Sequence, residues 1–235
     1  MSAPIVENLA RIQTRLEAAC ERAGRAADEV ALIAVSKRKP AEDVLSALQA
    51  GQLLFGENRV QEAREKIPTV GQPDGKVPQW HLIGSLQKNK VKYLPGLVQM
   101  VQTIDSVELA QALGQRMVAA DGVMPILVQV NVGGEEQKNG LAPDDLEEVV
   151  SAIAEVEGVE LQGLMTVPPI AEDPEKVRPY FRALRLLSEH ITRMRLPGVT
   201  MRHLSMGMSH DFEVAIEEGA TMVRVGSALF GPRDT

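Results

Sequence analysis

After Pro4 the apolar residues Val6, Leu9, Ile12 and Leu16 recur at three- and four-residue steps, with Glu7, Arg11, Arg15 and Glu17 between them. That spacing lays one apolar stripe along a helix, so an amphipathic helix is expected within residues 1–26. Cys20 continues the stripe and reads as a small buried hydrophobe rather than a reactive thiol. Beyond it the pattern changes. Short β-rich runs at 30–37, 53–57, 80–85, 98–105, 126–132, 159–167, 203–206 and 222–226 alternate with segments of helical period, such as Leu109, Leu113 and Met117, or Phe181, Leu184 and Ile191. Asp105, three residues before Glu108, predicts a capping box opening one of these helices.

Repeated βα units require a parallel sheet, because each helix returns the chain to the same end of it. Eight of them predict closure into a single (β/α)8 TIM barrel with an extra N-terminal helix packed on it. The competing open doubly wound sheet lacks its usual mark, a G-x-G-x-x-G turn after the first strand. The length of 235 residues suits one barrel domain over 1–235, close to the roughly 250 typical of the fold. The segments 68–79, 133–143 and 168–174 read as loops, and none as a domain linker.

Composition narrows the function classes. A formal net charge of −7 argues against a nucleic-acid partner, which asks for a basic surface. A small anion stays admissible, since a few backbone N–H groups hold one without changing the net charge. The lone Cys20 cannot form an intramolecular disulfide, and no apolar run approaches a membrane span. A cytoplasmic protein with no export signal and no membrane partner is expected.

In this fold the chemistry sits at the C-terminal ends of the strands. Lys37 closes the run that begins at Ala31, which puts its amine at the barrel mouth against apolar neighbours. Desolvation there would favour the neutral amine that attacks an aldehyde to form a Schiff base. The same position also suits a lysine that merely snorkels to solvent. Across the mouth, Ser205-Met206-Gly207-Met208-Ser209 reads as a strand, a glycine turn and a helix start. Gly226-Ser227 repeats the chemistry at the end of the eighth strand. Hydroxyls, glycines and exposed N–H groups at the seventh and eighth loops are where barrels often bind phosphate, although turn and capping chemistry uses the same residues. Arg224 precedes Gly226 by two residues and therefore points into the barrel. It either pairs with a barrel carboxylate or donates to the pyridine nitrogen of a pyridoxal 5′-phosphate (PLP) cofactor, where a permanently protonated partner weakens the ring as an electron sink. The three lysines of 87–92 read as a solvated helix face.

Ala34-Val35-Ser36-Lys37, Phe55-Gly56-Glu57-Asn58 with Gln61-Glu62, the run 80–87 with Asn89-Lys90, Gly163-Leu164-Met165, the run 204–209, and Arg224-Val225-Gly226 together resemble the pyridoxal phosphate homeostasis protein family. The resemblance runs from about Ala31 to Gly231. It implies a barrel like the N-terminal domain of alanine racemase, with PLP on Lys37. It further implies phosphate contacts from Ser205, Gly207, Met208, Ser209, Gly226 and Ser227, Arg224 at the pyridine nitrogen, and Asn58, His81 and Met165 lining the pocket. From the sequence alone, His81 also suits a hydrogen-bonded core histidine, and Met165 plain core packing.

A PLP racemase needs a second acid/base opposite the lysine, which in alanine racemase is a tyrosine from another domain and subunit. The chain shows no stretch for such a domain after the eighth strand, and Tyr93 and Tyr180 fall in helical segments. A non-catalytic PLP carrier that hands the cofactor to PLP-dependent apoenzymes, as a monomer or weak homodimer, is therefore the expectation. A PLP racemase using Lys37 with water or His81 is the alternative. A class I aldolase-type barrel is a third reading, in which Lys37 would bind a substrate carbonyl.

Overall fold

The computed structural model describes residues 3–135 and 139–232. Eight parallel strands close in sequence order: β1 Ala31–Val35, β2 Leu54–Glu57, β3 Gln79–Leu82, β4 Met100–Ile104, β5 Met124–Gln129, β6 Val159–Met165, β7 His203–Met208 and β8 Met222–Val225. Closure is made by β8 against β1, in the register Ala31 to Met222 through Ala34 to Val225. These strands are apolar runs because helices cover one face and the barrel interior the other. The outer ring is built from α2 Ala41–Gln49, α3 Val60–Val70, α4 Val107–Val118, α5 Leu146–Ala154, α6 Arg178–Met194, α7 Phe212–Glu217 and α8 Ser227–Phe230. After β3 the chain forms a 3₁₀ helix, Lys88–Tyr93, with Val91 buried and Lys88 and Lys92 exposed.

Two apolar cores result. The large one lies between sheet and helices. The small one fills the barrel itself with Ile33, Met100, Leu127, Met165 and Met222. Three methionines among five residues suit the irregular space inside a tapered barrel, since the thioether chain adapts its shape. The interior is thus packed, and the space above this plug is what remains for chemistry.

Helix α1, Ala3–Arg22, lies against α7 and α8. Its buried stripe is Ile5, Leu9, Ile12, Leu16, Ala19 and Cys20, while Val6, expected inside, is 36% exposed. Ile5 takes that place because steps of four and three back from Leu16 lead to Ile5 and keep the 3.6-residue period. Polar groups fix the register. Arg15 grips Glu213 with two hydrogen bonds, Asn8 Nδ2 donates to the Leu229 carbonyl, and Arg25 donates to the carbonyls of Ile216 and Ala220. Among the described residues no helix is long and apolar enough to cross a membrane.

The capping box expected at Asp105 and Glu108 is displaced by one residue. Ser106 is the N-cap of α4, and its hydroxyl accepts from the Leu109 N–H at 3.3 Å. An N-cap side chain accepts from the second or third N–H of its helix, and for α4 the hydroxyl in that place is that of Ser106. β7 also outruns its expected end by two residues, because a register shift between Ser205 and Met208 absorbs the glycine inside the strand.

If α1 is part of the folded unit, Ile12→Ala should lower unfolding free energy by about 3 kcal/mol, the usual cost of truncating a buried isoleucine. Urea unfolding measures this, and a loss below about 1 kcal/mol would mean that the helix docks only loosely.

Candidate functional site

Lys37 follows β1 in a tight turn closed by the Lys39 N–H on the Ser36 carbonyl at 3.0 Å. It is half-buried and lines a small cleft with Arg38, Asn58, Arg59 and Glu62. Asn58 directly follows β2 in the same cleft, and its Oδ1 is buried with no hydrogen-bond partner among the described residues. The approach that sets this edge is tight: a Cβ on Gly84, after β3, would lie 2.2 Å from the Asn58 carbonyl oxygen. Only glycine lets the loops after β2 and β3 meet there.

Arg224 points inward from β8 and is 5% exposed. Among the described residues no carboxylate lies within ion-pair distance of it. Its Nη1 donates to Ser205 Oγ at 2.6 Å and its Nη2 to the Thr166 carbonyl at 2.7 Å. Of the two pairings open from the sequence, the structure therefore does not form the carboxylate one. Burial pulls the guanidinium down to about 10, which still leaves it charged near neutral pH.

The arginine sets the direction of a buried chain of hydrogen bonds. A guanidinium has no acceptor, so Ser205 Oγ must accept from it and pass its own hydrogen onward. That hydrogen goes to Gln102 Oε1 at 2.7 Å. The Gln102 amide nitrogen then faces His81 Nδ1 at 2.9 Å. Nδ1 is thereby the acceptor, and the ring hydrogen sits on Nε2. Burial, with a smaller contribution from His203, pushes the His81 imidazole down to about 4. Ser205, expected from the sequence to reach a phosphate, is fully buried and has its hydroxyl engaged on both sides. Gln102 was missed by the sequence reading. Its only signal was a lone amide in the apolar run Met100–Ile104.

The loops after β7 and β8 meet at one hydroxyl. Ser209 Oγ accepts from the N–H groups of Gly226 at 3.2 Å and Ala228 at 3.3 Å. Two converging backbone donors are the kind of group that holds an anion. Gly207 has φ +92°, and a Cβ there would lie 2.6 Å from Ala215 Cβ and 2.9 Å from Phe212 Cα. The left-handed backbone and the contact with α7 both exclude a side chain. The Met208 N–H is taken by Asp211 Oδ1 at 2.6 Å, whereas Ser227 is exposed at the start of α8. Met165 is fully buried within the methionine plug. Closure sets the end of β1, from which Lys37 follows, beside Gly226: Ala34 pairs with Val225, and a Cβ on Gly226 would lie 3.4 Å from Val35.

The histidine's pKa makes stability depend on pH. The unfolded chain binds a proton at His81 near the ordinary value of 6.5 and the folded chain only near 4. Stability from this group is therefore complete above about 6.5 and falls as pH drops toward 4, by on the order of 2 to 3 kcal/mol. Urea unfolding at pH 7 and pH 4.5 should show a larger loss for the wild type than for His81→Gln. Equal losses would contradict a neutral buried imidazole.

A family model described as alanine racemase, N-terminal domain, matches residues 8–234. The pyridoxal phosphate homeostasis protein of Aquifex aeolicus is 47% identical over 227 residues, covering 97% of each chain. That of Escherichia coli strain K12 is 38% identical over 230 residues, covering 98% of this chain and 97% of its own. Among solved structures, PipY of Synechococcus elongatus with PLP bound superposes with a TM-score of 0.83 at 31% identity, over 97% of this chain and all of that one. Similar to these proteins over nearly its whole length, at 38% to 47% identity to the two homeostasis proteins, this chain belongs to the pyridoxal phosphate homeostasis protein family.

Proposed function

We propose that this protein holds PLP as a Schiff base on Lys37 and serves PLP homeostasis in the cytoplasm. It binds the cofactor reversibly, limits the free aldehyde and passes it to PLP-dependent apoenzymes. The observation that carries the reading is Arg224, a buried cation that among the described residues meets only neutral acceptors, on the strand that closes the barrel against the strand leading to Lys37. Among the described residues two of the five guanidinium donors are used within the barrel, so donors remain for a pyridine nitrogen. The N–H groups of Gly226 and Ala228, now on Ser209 Oγ, together with Ser209 itself, Ser227 and the turn at Gly207 and Met208, suit the phosphate end. Asn58, with its unpartnered Oδ1, and His81, with its Nε2 hydrogen, line the ring side above Met165. Ser205 acts through Arg224, as the acceptor that orients it.

PLP supplies an electrophilic aldehyde and, when its ring nitrogen is protonated, an electron sink. The surroundings of Arg224 work against the sink, because a guanidinium that stays charged near neutral pH donates a hydrogen bond to that nitrogen rather than a proton. His81 is a poor base, with Nδ1 occupied by Gln102 and its basicity suppressed by burial. Tyr93 lies on the outer 3₁₀ helix with the Arg64 guanidinium 4.0 Å from its ring centroid, and Tyr180 lies on α6. These placements favour holding and release over an efficient reaction.

The purified protein should take up PLP with a visible absorbance band that Lys37→Ala abolishes. Borohydride reduction without added substrate should leave a PLP-sized mass on the peptide containing Lys37. An adduct on another lysine, or none, would overturn the assignment, and an adduct only with an added carbonyl substrate would favour the aldolase-type barrel. For the carrier role, the PLP-loaded protein in D₂O should exchange no α-hydrogen across a broad amino-acid panel. Rapid exchange with one amino acid, lost in Lys37→Ala, would instead make it a PLP enzyme.

A further inference from the structure

The turn that carries Lys37 is held from both sides by side chains to which the proposed function gives no role. Arg38, the next residue, has φ +59°, a left-handed backbone that a residue with a Cβ adopts only when its surroundings enforce it. Its N–H donates to Glu62 Oε1 at 2.5 Å. On the other flank, Ser36 Oγ donates to Glu57 Oε1 at 2.7 Å, and the Ser36 carbonyl accepts from Lys66 Nζ at 2.7 Å.

One ammonium joins the two flanks. Lys66 Nζ also reaches Glu57 Oε1 at 2.6 Å and Glu62 Oε1 at 2.7 Å. Glu62 and Lys66 are one helical turn apart on α3 and so share a face. Lys66 falls on the buried stripe of Val60, Ala63 and Val70, and both it and Glu57 are buried. A buried ion pair recovers its desolvation cost poorly, so stability alone is a weak reason for this arrangement. Its geometric effect is definite: the backbone before and after Lys37 is pinned, and Glu62 lines the same cleft as the lysine.

We propose that Glu62, held by Lys66 and Glu57, is a positioning residue that keeps the Ser36 to Lys39 turn in its left-handed form and so aims the Lys37 amine. This deepens the function proposed above and rests on Lys37 being the PLP-bearing residue. A glycine at position 38 adopts the same φ without enforcement, so the need for Glu62 should vanish in Arg38→Gly.

The test is the rate at which the visible Schiff-base band grows when PLP is added to the stripped full-length protein. Glu62→Ala should slow it about tenfold, within the range that misplacement of a reacting group costs. Arg38→Gly/Glu62→Ala should recover most of the wild-type rate, and the exposed Glu65→Ala on the same helix should match the wild type. Recovery in the double variant is the readout that a merely structural loss would not produce. If Glu62→Ala forms the band at the wild-type rate, or the double variant is no faster than Glu62→Ala, the positioning role is overturned. Reduction and peptide mapping of the wild type in the same series separates the two claims. An adduct on Lys37 with unchanged rates sinks only the positioning role, whereas an adduct elsewhere sinks the Lys37 assignment itself.

Discussion

The pairing of β8 with β1 is the constraint on which the rest depends. Residues about 190 positions apart, Val35 and Gly226, become neighbours because two strand ends share one hydrogen-bonded register. The same closure turns Arg224 into the barrel and away from water. Once buried, a guanidinium must find acceptors, and among the described residues it meets Ser205 and the carbonyl of Thr166. The polarity of every further group in the chain follows from the fact that arginine can only donate.

The interior therefore has two storeys with different physics. Below, methionine and aliphatic side chains fill the barrel and exclude water. Above, a one-way hydrogen-bond chain runs from Arg224 through Ser205 and Gln102 to His81. It keeps a cation charged and a histidine neutral in the same barrel, although burial works against the charged form of both. The difference begins with intrinsic basicity, since burial lowers Arg224 only to about 10 but His81 to about 4. Their partners fit these states: Arg224 meets two oxygens and the field of Asp211, whereas His81 meets an amide N–H at Nδ1, which only the neutral ring can accept.

Much of this was legible in order along the chain. Alternation of β-rich runs with helical periods predicts a closed barrel, and strand ends are short enough to be read as motifs. Boundaries were less legible where a side chain decided them. The cap fell on Ser106 because of where its hydroxyl meets Leu109, and the α1 stripe began at Ile5 because the period is 3.6 residues rather than three. Lys66 carried a signal that was passed over: a charged residue at the buried phase of α3 needs a buried partner.

By itself the sequence determined the repeat, the lysine at the first strand end, the glycine and serine turns of the last two strands, and an inward arginine. All of these follow from local period and from residue type. Tertiary structure alone decided the pairings. Ser205 faces Arg224 and Gln102 rather than an outer cradle, Ser209 holds the N–H groups of Gly226 and Ala228, and Glu57, Glu62 and Lys66 converge on the flanks of Lys37. No local pattern encodes such contacts, because a hydrogen bond between distant strands depends on barrel register and curvature, and these exist only after the chain has closed.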